Sequence, residues 1–231
     1  MKKVVNYKVE GKEWEEAKTK AFEKIVKKVK VDGFRQGKCP RSIFEKKYGT
    51  GDIISEAMEA MIDKRYKEAI IKDKLLSLLN KYHVIGVYVS MDDEVFTDEL
   101  IQELLNQSIE VVVPKIEGHV INFYQISSLN SLKTTDNKYG IREPDNNIAL
   151  KVKKEAIEAM IIPGIVFDTS LHRIGFGKGY FDKYLANTNV YKIGICFDEQ
   201  LSNAMIPHHS YDVKMDIIIT DQRTIKDEHT L

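Results

Sequence analysis

The sequence predicts an α/β fold, in which an open, mostly parallel sheet carries helices on both faces and follows a smaller α+β N-terminal segment. After Lys74, short apolar runs alternate with amphipathic segments, which is typical of a parallel sheet. Before Lys74, one short β-rich stretch at residues 4–9 precedes sequence with helical periodicity. This change of character divides the chain into segments 1–74 and 75–231.

The N-terminal segment is predicted to be mainly helical. Apolar residues recur at helical spacing over residues 13–30, and a loop at 32–40 follows. Further helices are predicted from about Arg41 and over residues 53–71.

The second segment supplies the predicted sheet. Its expected strands are residues 84–89, 109–113, 121–126, 161–167, 191–197 and 216–220. Thr97 is expected to cap a helix that buries Leu100, Ile101, Leu104 and Leu105. The remaining predictions are helices at 151–160 and from 180 to 185, and a long polar loop at 130–147.

Composition and charge limit the class of protein. The chain has 231 residues, is 43% apolar and 30% charged, and has 35 basic against 35 acidic residues, so we expect no DNA partner. The longest apolar run, residues 159–167, is far shorter than the ~20 residues of a membrane span. The polar start and two distant cysteines, interpreted as free thiols, predict a cytoplasmic protein.

A glycine-rich stretch from Arg173 to Asp182 is the most informative feature. Its glycines stand at alternate positions, where backbone amides can converge on an anion because no Cβ blocks the approach. Arg173 and Lys178 add cations, and Asp182 adds a carboxylate, as a metal-bound polyphosphate requires. The alternative is a tight strand-to-helix turn that uses glycine for backbone reasons alone.

Two familiar glycine motifs do not fit this stretch. The dinucleotide fingerprint would need glycine where Tyr180 stands, and the P-loop would need serine or threonine at Gly179. Asp212, in a loop before the last predicted strand, is a candidate second metal ligand beside Asp182. We interpret His208 and His209 as solvated side chains, because neighbouring residues in a loop point apart.

Residues 163–168 followed by 173–185 resemble the signature of the 5-formyltetrahydrofolate cyclo-ligase family, also called methenyltetrahydrofolate synthetases. The resemblance extends from about residue 75 to 221. Further matching stretches follow in the right order: 86–90 with 93–95, 114–115 with 123–124, and 140–144.

The resemblance implies an enzyme that uses ATP and Mg²⁺ to close 5-formyltetrahydrofolate to 5,10-methenyltetrahydrofolate, with release of ADP and phosphate. Its implied ATP-binding residues are Arg173, Ile174, Gly175, Phe176, Gly177, Lys178, Gly179 and Tyr180; Arg173, Lys178 and Tyr180 are also the implied catalytic residues. Val89, Glu94 and Tyr180 would contact the folate, and Asp182 and Asp212 would hold magnesium. Without the resemblance, Glu94 is an ordinary solvated turn residue. The preference for polyglutamated folate stays open.

The N-terminal segment resembles a different family, the ribosome-binding domain of the bacterial chaperone trigger factor. Residues 33–40 match the pattern Gly-Phe-Arg-x-Gly-x-x-Pro of that domain. The resemblance implies a ribosome contact through Phe34, Arg35 and Lys38, and basic residues around this loop suit RNA phosphates. The alternative is a solvated helix face beside a Gly/Pro turn.

One expected feature of the cyclo-ligase family is missing. The family's N-terminal helix carries a Lys-x-x-Leu-Arg pattern, whereas Lys72-Asp73-Lys74-Leu75-Leu76 has no arginine. The chain therefore resembles a fusion near Lys74, whether natural, engineered or a mis-joined gene. The second functional hypothesis is a ribosome-associated, chaperone-like protein whose cyclo-ligase-like domain is catalytically impaired.

Overall fold

The computed structural model describes residues 8–91, 94–134 and 141–227. The chain forms two compact units, Met1–Tyr66 and Lys67–Leu231. The helices are α1 (Gly11–Val26), α2 (Arg41–Tyr48), α3 (Gly51–Leu79), α4 (Asp98–Asn106) and α5 (Tyr180–Leu185). The junction predicted near Lys74 lies inside the continuous helix α3, and the two units divide earlier in that helix.

The first unit is a small helical core. The helices α1, α2 and the first turns of α3 enclose a buried cluster that includes Phe44, Ile53 and Ala57. The helix α1 ends at Val26, earlier than the predicted residue 30. The strand predicted at residues 4–9 lies largely outside the described residues, and Lys8 and Val9 are not in a strand.

The second unit is built around a mixed sheet. Its strands are β1 (Val84–Val87), β2 (Glu110–Glu117), β3 (Val120–Ile126), β4 (Leu132–Thr134), β5 (Arg142–Pro144), β6 (Lys151–Val152), β7 (Ala159–Ile162), β8 (Val166–Asp168), β9 (Arg173–Ile174), β10 (Tyr191–Ile195), β11 (Leu201–Ser202), β12 (Ile217–Ile219) and β13 (Thr224–Lys226).

Among the described residues, the main sheet has eight strands in the order β13-β12-β10-β7-β1-β2-β3-β6. The strands from β12 to β2 in this order are parallel, and antiparallel strands complete both edges. The predicted α/β class is therefore confirmed.

Helices cover both faces of this sheet because its central strands are apolar on both sides. Along β7, Ala159 and Ile161 belong to one buried cluster, which also takes residues of α3 and α4. Met160 and Ile162 belong to the cluster on the opposite face, together with Leu185 of α5. Parallel strands buried in this way appear in the sequence as continuous apolar runs.

The helix predicted at residues 151–160 is wrong. Lys151–Val152 is the edge strand β6, Lys154–Ala156 forms a single 3₁₀ turn, and Ala159 and Met160 begin β7. The local Lys-Glu-Ala composition favours a helix, but pairing of β7 with β1 and β10 places fully buried side chains on both faces and overrides that preference.

Other predicted boundaries change in detail. The strand predicted at 161–167 is interrupted at Pro163-Gly164 and continues as β8, which pairs with β9 and β11 in a smaller sheet. The predicted loop at 130–147 contains the hairpin strands β4 and β5. Thr97 is the N-cap residue of α4, as predicted, but its side chain makes no cap hydrogen bond, because its hydroxyl donates to the carbonyl oxygen of Tyr88 at 2.8 Å.

Within the described residues, no helix is both long enough and apolar enough to cross a membrane.

Candidate active site

A cavity of about 560 Å³ in the second unit brings the predicted site residues together. It opens at the carboxyl ends of the neighbouring parallel strands β1 and β7, where Val89 and Pro163 contribute to its wall. Ligands commonly bind at this edge of an open α/β sheet. The glycine loop, Val89, Glu94, Asp182 and Asp212 all line the same cavity.

The glycine loop connects β9 to α5. The helix after the loop is predicted from the sequence, whereas the two-residue strand β9 is not. Gly177 and Gly179 have φ angles of 80° and 63°, which side chains other than glycine rarely adopt. Phe176 precedes Gly177, Lys178 lies between Gly177 and Gly179, and both side chains are exposed. Tyr180, at the start of α5, is half-buried. The loop therefore adds glycine-rich backbone and one exposed cation, Lys178, to the cavity wall.

Arg173 is the buried cation of the site. Its Nη2 donates to Asp182 Oδ2 at 2.9 Å, and its Nη1 donates to the carbonyl oxygen of Pro163 at 3.3 Å. Its buried Nε has no hydrogen-bond acceptor among the described residues. A Cβ on Gly175 would clash with Arg173 Nη1, so the guanidinium occupies space that only glycine leaves open at this position. An unsatisfied buried donor here suits an anionic ligand in the cavity.

The two predicted metal ligands lie on different segments of the same cavity wall. Asp182 is held by Arg173, and its Oδ1 accepts the backbone N–H of Val213 at 3.3 Å. Asp212 Oδ2 accepts the backbone N–H of His209 at 2.7 Å. Among the described residues, no group of three or more His, Cys, Asp or Glu side chains is arranged to hold a metal.

Glu94 is not the solvated turn residue that its local sequence indicates. It is buried, and its Oε2 accepts the backbone N–H of Met91 at 2.8 Å. Burial raises the pKa of its carboxyl to about 7, although the Met91 hydrogen bond works in the opposite direction. The cavity therefore contains a carboxyl group that changes charge near neutral pH.

Sequence reasoning missed several residues of the cavity. Ile116 and Ile121 give it an apolar wall beside the buried Glu143, whose Oε1 accepts the backbone N–H of Ile116 at 3.2 Å. His209 stacks on Tyr211 at the rim with ring centroids 5.0 Å apart. In sequence, Ile116 and Ile121 lie near the matching stretches 114–115 and 123–124, Glu143 lies within 140–144, and His209 and Tyr211 are close to Asp212. Local sequence does not show that these segments meet, because the sheet brings them together.

The lysines of the stretch 72–76 do not line the cavity. Lys74 Nζ donates to the carbonyl oxygens of Thr220 and Asp221 at 2.8 and 3.3 Å, beyond the end of β12. Lys72 pairs with Glu99 on α4. Both side chains therefore stabilise the second unit and add no positive charge to the cavity wall.

The loop at residues 33–38 in the first unit presents only part of its predicted ribosome contact. Arg35 and Lys38 are exposed, whereas Phe34 is half-buried and packs against the helical core of this unit. Gly33 and Gly37 have φ angles of 83° and 78°, and they allow the two tight turns of the loop. The exposed part of the loop is thus basic rather than aromatic.

Comparison with known proteins finds two family matches, which overlap over residues 52–97. Residues 1–97 match the sequence model described as bacterial trigger factor protein. The trigger factor of Anoxybacillus flavithermus is 37% identical over 67 residues, which is 29% of this chain but only 16% of that protein.

The longer of the two matches is to enzymes. A protein of Schizosaccharomyces pombe named a probable 5-formyltetrahydrofolate cyclo-ligase is 35% identical over 157 residues, covering 62% of this chain and 76% of the relative. The solved structure of Aquifex aeolicus 5,10-methenyltetrahydrofolate synthetase has a TM-score of 0.62 at 23% identity, covering 94% of this chain and 95% of the other, and shows a shared fold. Residues 52–221 match the sequence model of the 5-formyltetrahydrofolate cyclo-ligase family, so this chain belongs to that family of ATP-dependent ligases.

Proposed function

We propose that the protein uses ATP and Mg²⁺ to cyclise 5-formyltetrahydrofolate to 5,10-methenyltetrahydrofolate, with release of ADP and phosphate. The observation that carries this proposal is that one cavity is lined by the glycine loop, Arg173, the carboxylates of Asp182 and Asp212, the carboxyl of Glu94 and several apolar side chains. The family membership supports the reaction, and the cavity lining contains both charged and apolar residues, as binding of a nucleotide and a folate requires.

The charged ligand is assigned to the glycine loop. The amides of residues 175–179 and the exposed Lys178 would neutralise the phosphates, and the unsatisfied Nε of Arg173 offers a further donor. Asp182 and Asp212 fit Mg²⁺, because this ion usually takes one or two protein carboxylates and completes its shell with phosphate oxygens and water. Magnesium bound there would supply charge neutralisation during phosphoryl transfer.

The folate is assigned to the wall formed by Val89, Ile116, Ile121 and Glu94. The carboxyl of Glu94 can accept hydrogen bonds from the N–H groups of a pterin, and the apolar side chains exclude water from its ring. Tyr180, at the junction of the glycine loop and α5, lies where the two ligands would meet.

The proposed chemistry needs positioning more than covalent help from the protein. The γ-phosphoryl group moves to the formyl oxygen, which converts a poor electrophile into an activated carbon. The N10 nitrogen of the folate attacks that carbon, the oxygen leaves with the phosphate, and N10 loses its proton. The residues of this chain hold the reacting atoms close and stabilise the transferred charge.

A direct assay tests this proposal. The protein is incubated with 5-formyltetrahydrofolate and Mg-ATP, and the near-ultraviolet absorbance of the methenyl product is followed. We expect turnover that requires both ATP and magnesium and falls strongly in Asp182→Asn. Folded protein without any turnover would contradict the proposal and favour the alternative of a catalytically impaired domain.

We also propose a ribosome contact for the first unit, because Arg35 and Lys38 are exposed on the loop that resembles the trigger factor motif. Such a contact would bind RNA phosphates and weaken with salt. Co-sedimentation with ribosomes tests it: Arg35→Ala/Lys38→Ala should pellet less than unsubstituted protein. The matched control, Lys12→Ala/Lys46→Ala, removes two exposed lysines elsewhere on this unit. Equal pelleting of all three proteins would contradict the contact.

The proposed location is the cytoplasm. Cys39 and Cys196 are both buried free thiols, which suits a reducing compartment.

A further inference from the structure

A buried carboxylate lies beside the site without lining the cavity. Asp168, at the end of β8, has a fully buried side chain. Its Oδ1 accepts the backbone N–H groups of Ser170 and His172 at 2.9 and 3.0 Å, which closes the turn that leads into Arg173. A buried charge is tolerated only when hydrogen bonds replace the lost water. Burial works to raise the pKa of Asp168, but the backbone N–H groups of Ile206 and His172 and the His172 ring together lower it.

The second oxygen of Asp168 reaches a distant segment. Its Oδ2 accepts the backbone N–H of Ile206 at 2.9 Å. At the other end of that segment, the backbone N–H of Met215 donates to the carbonyl oxygen of Leu171 at 2.9 Å. Leu171 has a φ angle of 72°, unusual for a residue with a side chain, so the turn keeps a costly conformation. The turn at residues 168–172 thus fixes both ends of the segment that carries Asp212.

Two imidazole rings add a further link between the turn and this segment. His172 Nδ1 lies 3.1 Å from Asp168 Oδ2, and His208 Nδ1 lies 3.0 Å from the carbonyl oxygen of Ile206. Carboxylate and carbonyl oxygens only accept, so both Nδ1 atoms carry the proton. The rings stack with centroids 3.8 Å apart and an interplanar angle of 17°.

We propose that Asp168, with His172, is a positioning residue that sets the distance between the two metal-binding walls of the cavity. One wall follows the turn directly and comprises Arg173 with its partner Asp182; the other is the anchored segment with Asp212. This inference rests on the proposed function, because it assigns Asp182 and Asp212 to one Mg²⁺ ion. Replacing a residue that holds a metal ligand in its orientation, without binding the metal itself, typically changes metal affinity about 10–100-fold.

The test measures metal binding rather than turnover. Mn²⁺ is titrated, with detection by electron paramagnetic resonance, into protein that contains a non-hydrolysable ATP analogue. Asp168→Asn keeps the size of the side chain but replaces one acceptor oxygen with an NH₂ donor. This donor would face another donor, either the backbone N–H of Ile206 or the backbone N–H groups of Ser170 and His172. We expect its dissociation constant for Mn²⁺ to rise about 10-fold or more, while melting stays cooperative.

Two further variants keep the result interpretable. His172→Phe preserves a ring for stacking on His208 but loses the donor to Asp168, and we expect a smaller rise in the same direction. The matched control is Asp198→Asn, since this largely buried carboxylate accepts from Arg223 and Thr220 but does not line the cavity. It should lower the melting temperature and leave Mn²⁺ affinity unchanged.

The outcomes separate the two proposals. If unsubstituted protein binds no Mn²⁺ with the nucleotide analogue, the proposed function is overturned together with this inference. If it binds and Asp168→Asn leaves the affinity unchanged, the positioning role alone is overturned. Should Asp168→Asn fail to fold, an unchanged affinity in His172→Phe overturns it, as would an equal loss in Asp198→Asn.

Discussion

At the scale of single residues, burial gives the carboxyl of Glu94 an unusually high pKa. A glutamic acid whose pKa is near 7 in the folded state is largely neutral below that pH, although its usual value is 4.5. The folded protein then binds more protons than the unfolded chain between these two values, so stability falls as the pH rises through this window. This difference in pKa lowers the free energy of unfolding by roughly 3 kcal/mol once the pH is well above 7.

Glu94→Gln should remove this pH dependence. The amide is neutral and keeps a carbonyl acceptor for the Met91 N–H, so at pH 8 we expect a melting temperature higher by roughly 4–10 °C than that of unsubstituted protein. At pH 5 the two proteins should melt within about 2 °C of each other. Glu103→Gln, on the exposed side of α4, is the control and should show no such difference. A gap of equal size at both pH values would contradict the raised pKa.

Gly175 controls where the Arg173 guanidinium lies. In Gly175→Ala the new Cβ meets only the mobile end of the arginine, so we expect a folded protein in which the Arg173–Asp182 pair is displaced. The displaced Arg173 would lose one charge-assisted hydrogen bond to the nucleotide. Such a bond is worth about 1.5–3 kcal/mol, so Mg-nucleotide binding should weaken about 10–100-fold. Calorimetric titration with the non-hydrolysable ATP analogue measures this change.

The control for Gly175→Ala is Gly51→Ala, where no atom lies within 4 Å of the added Cβ. Unchanged nucleotide affinity in Gly175→Ala would show that the position of Arg173 does not matter for binding.

At the scale of elements, the sequence predicts what local pattern determines. The glycine loop, α5 and the apolar runs of β1, β2 and β10 follow from short-range signals, and the structure confirms them. The error at residues 151–160 has a physical reason, because Ala159 and Met160 gain burial in a central strand that no local preference reveals. The burial of Glu94 and the cavity wall at Glu143 depend on sheet order for the same reason.

Lys74 in the second half of α3 and Lys178 in the glycine loop are expected to contribute to different properties, stability and nucleotide binding. Lys74 satisfies carbonyl oxygens beyond β12, so Lys74→Met should lower the free energy of unfolding by about 1.5–3 kcal/mol and leave the KM for ATP unchanged. Lys178→Ala should have the opposite effect: unchanged melting and an increase in the KM for ATP of about 10-fold. Urea unfolding and steady-state kinetics measure the two quantities. An increased KM in Lys74→Met would mean that this lysine reaches the nucleotide after all.

At the scale of the whole molecule, two family resemblances are joined within one helix. The trigger factor match ends at residue 97 and the cyclo-ligase match begins at residue 52, so the two overlap over α3 and β1. The continuous helix from Gly51 to Leu79 fits this overlap, because its first turns pack in the first unit and Ile71, Leu75 and Leu79 enter the core of the second. A sharp boundary could not be predicted from the sequence, since α3 has residues that suit both cores.

In the proposed mechanism, the γ-phosphoryl group of ATP moves to the formyl oxygen and the folate ring then closes, and both steps take place in one cavity. This mechanism is tested most directly with 5-formyltetrahydrofolate labelled with ¹⁸O at the formyl group, by measuring methenyl product and the isotopic mass of the released phosphate in one reaction. We predict one phosphate for each methenyl group formed, with the label in the phosphate. Product formation with the label in water, or the absence of product with folded protein, would contradict it.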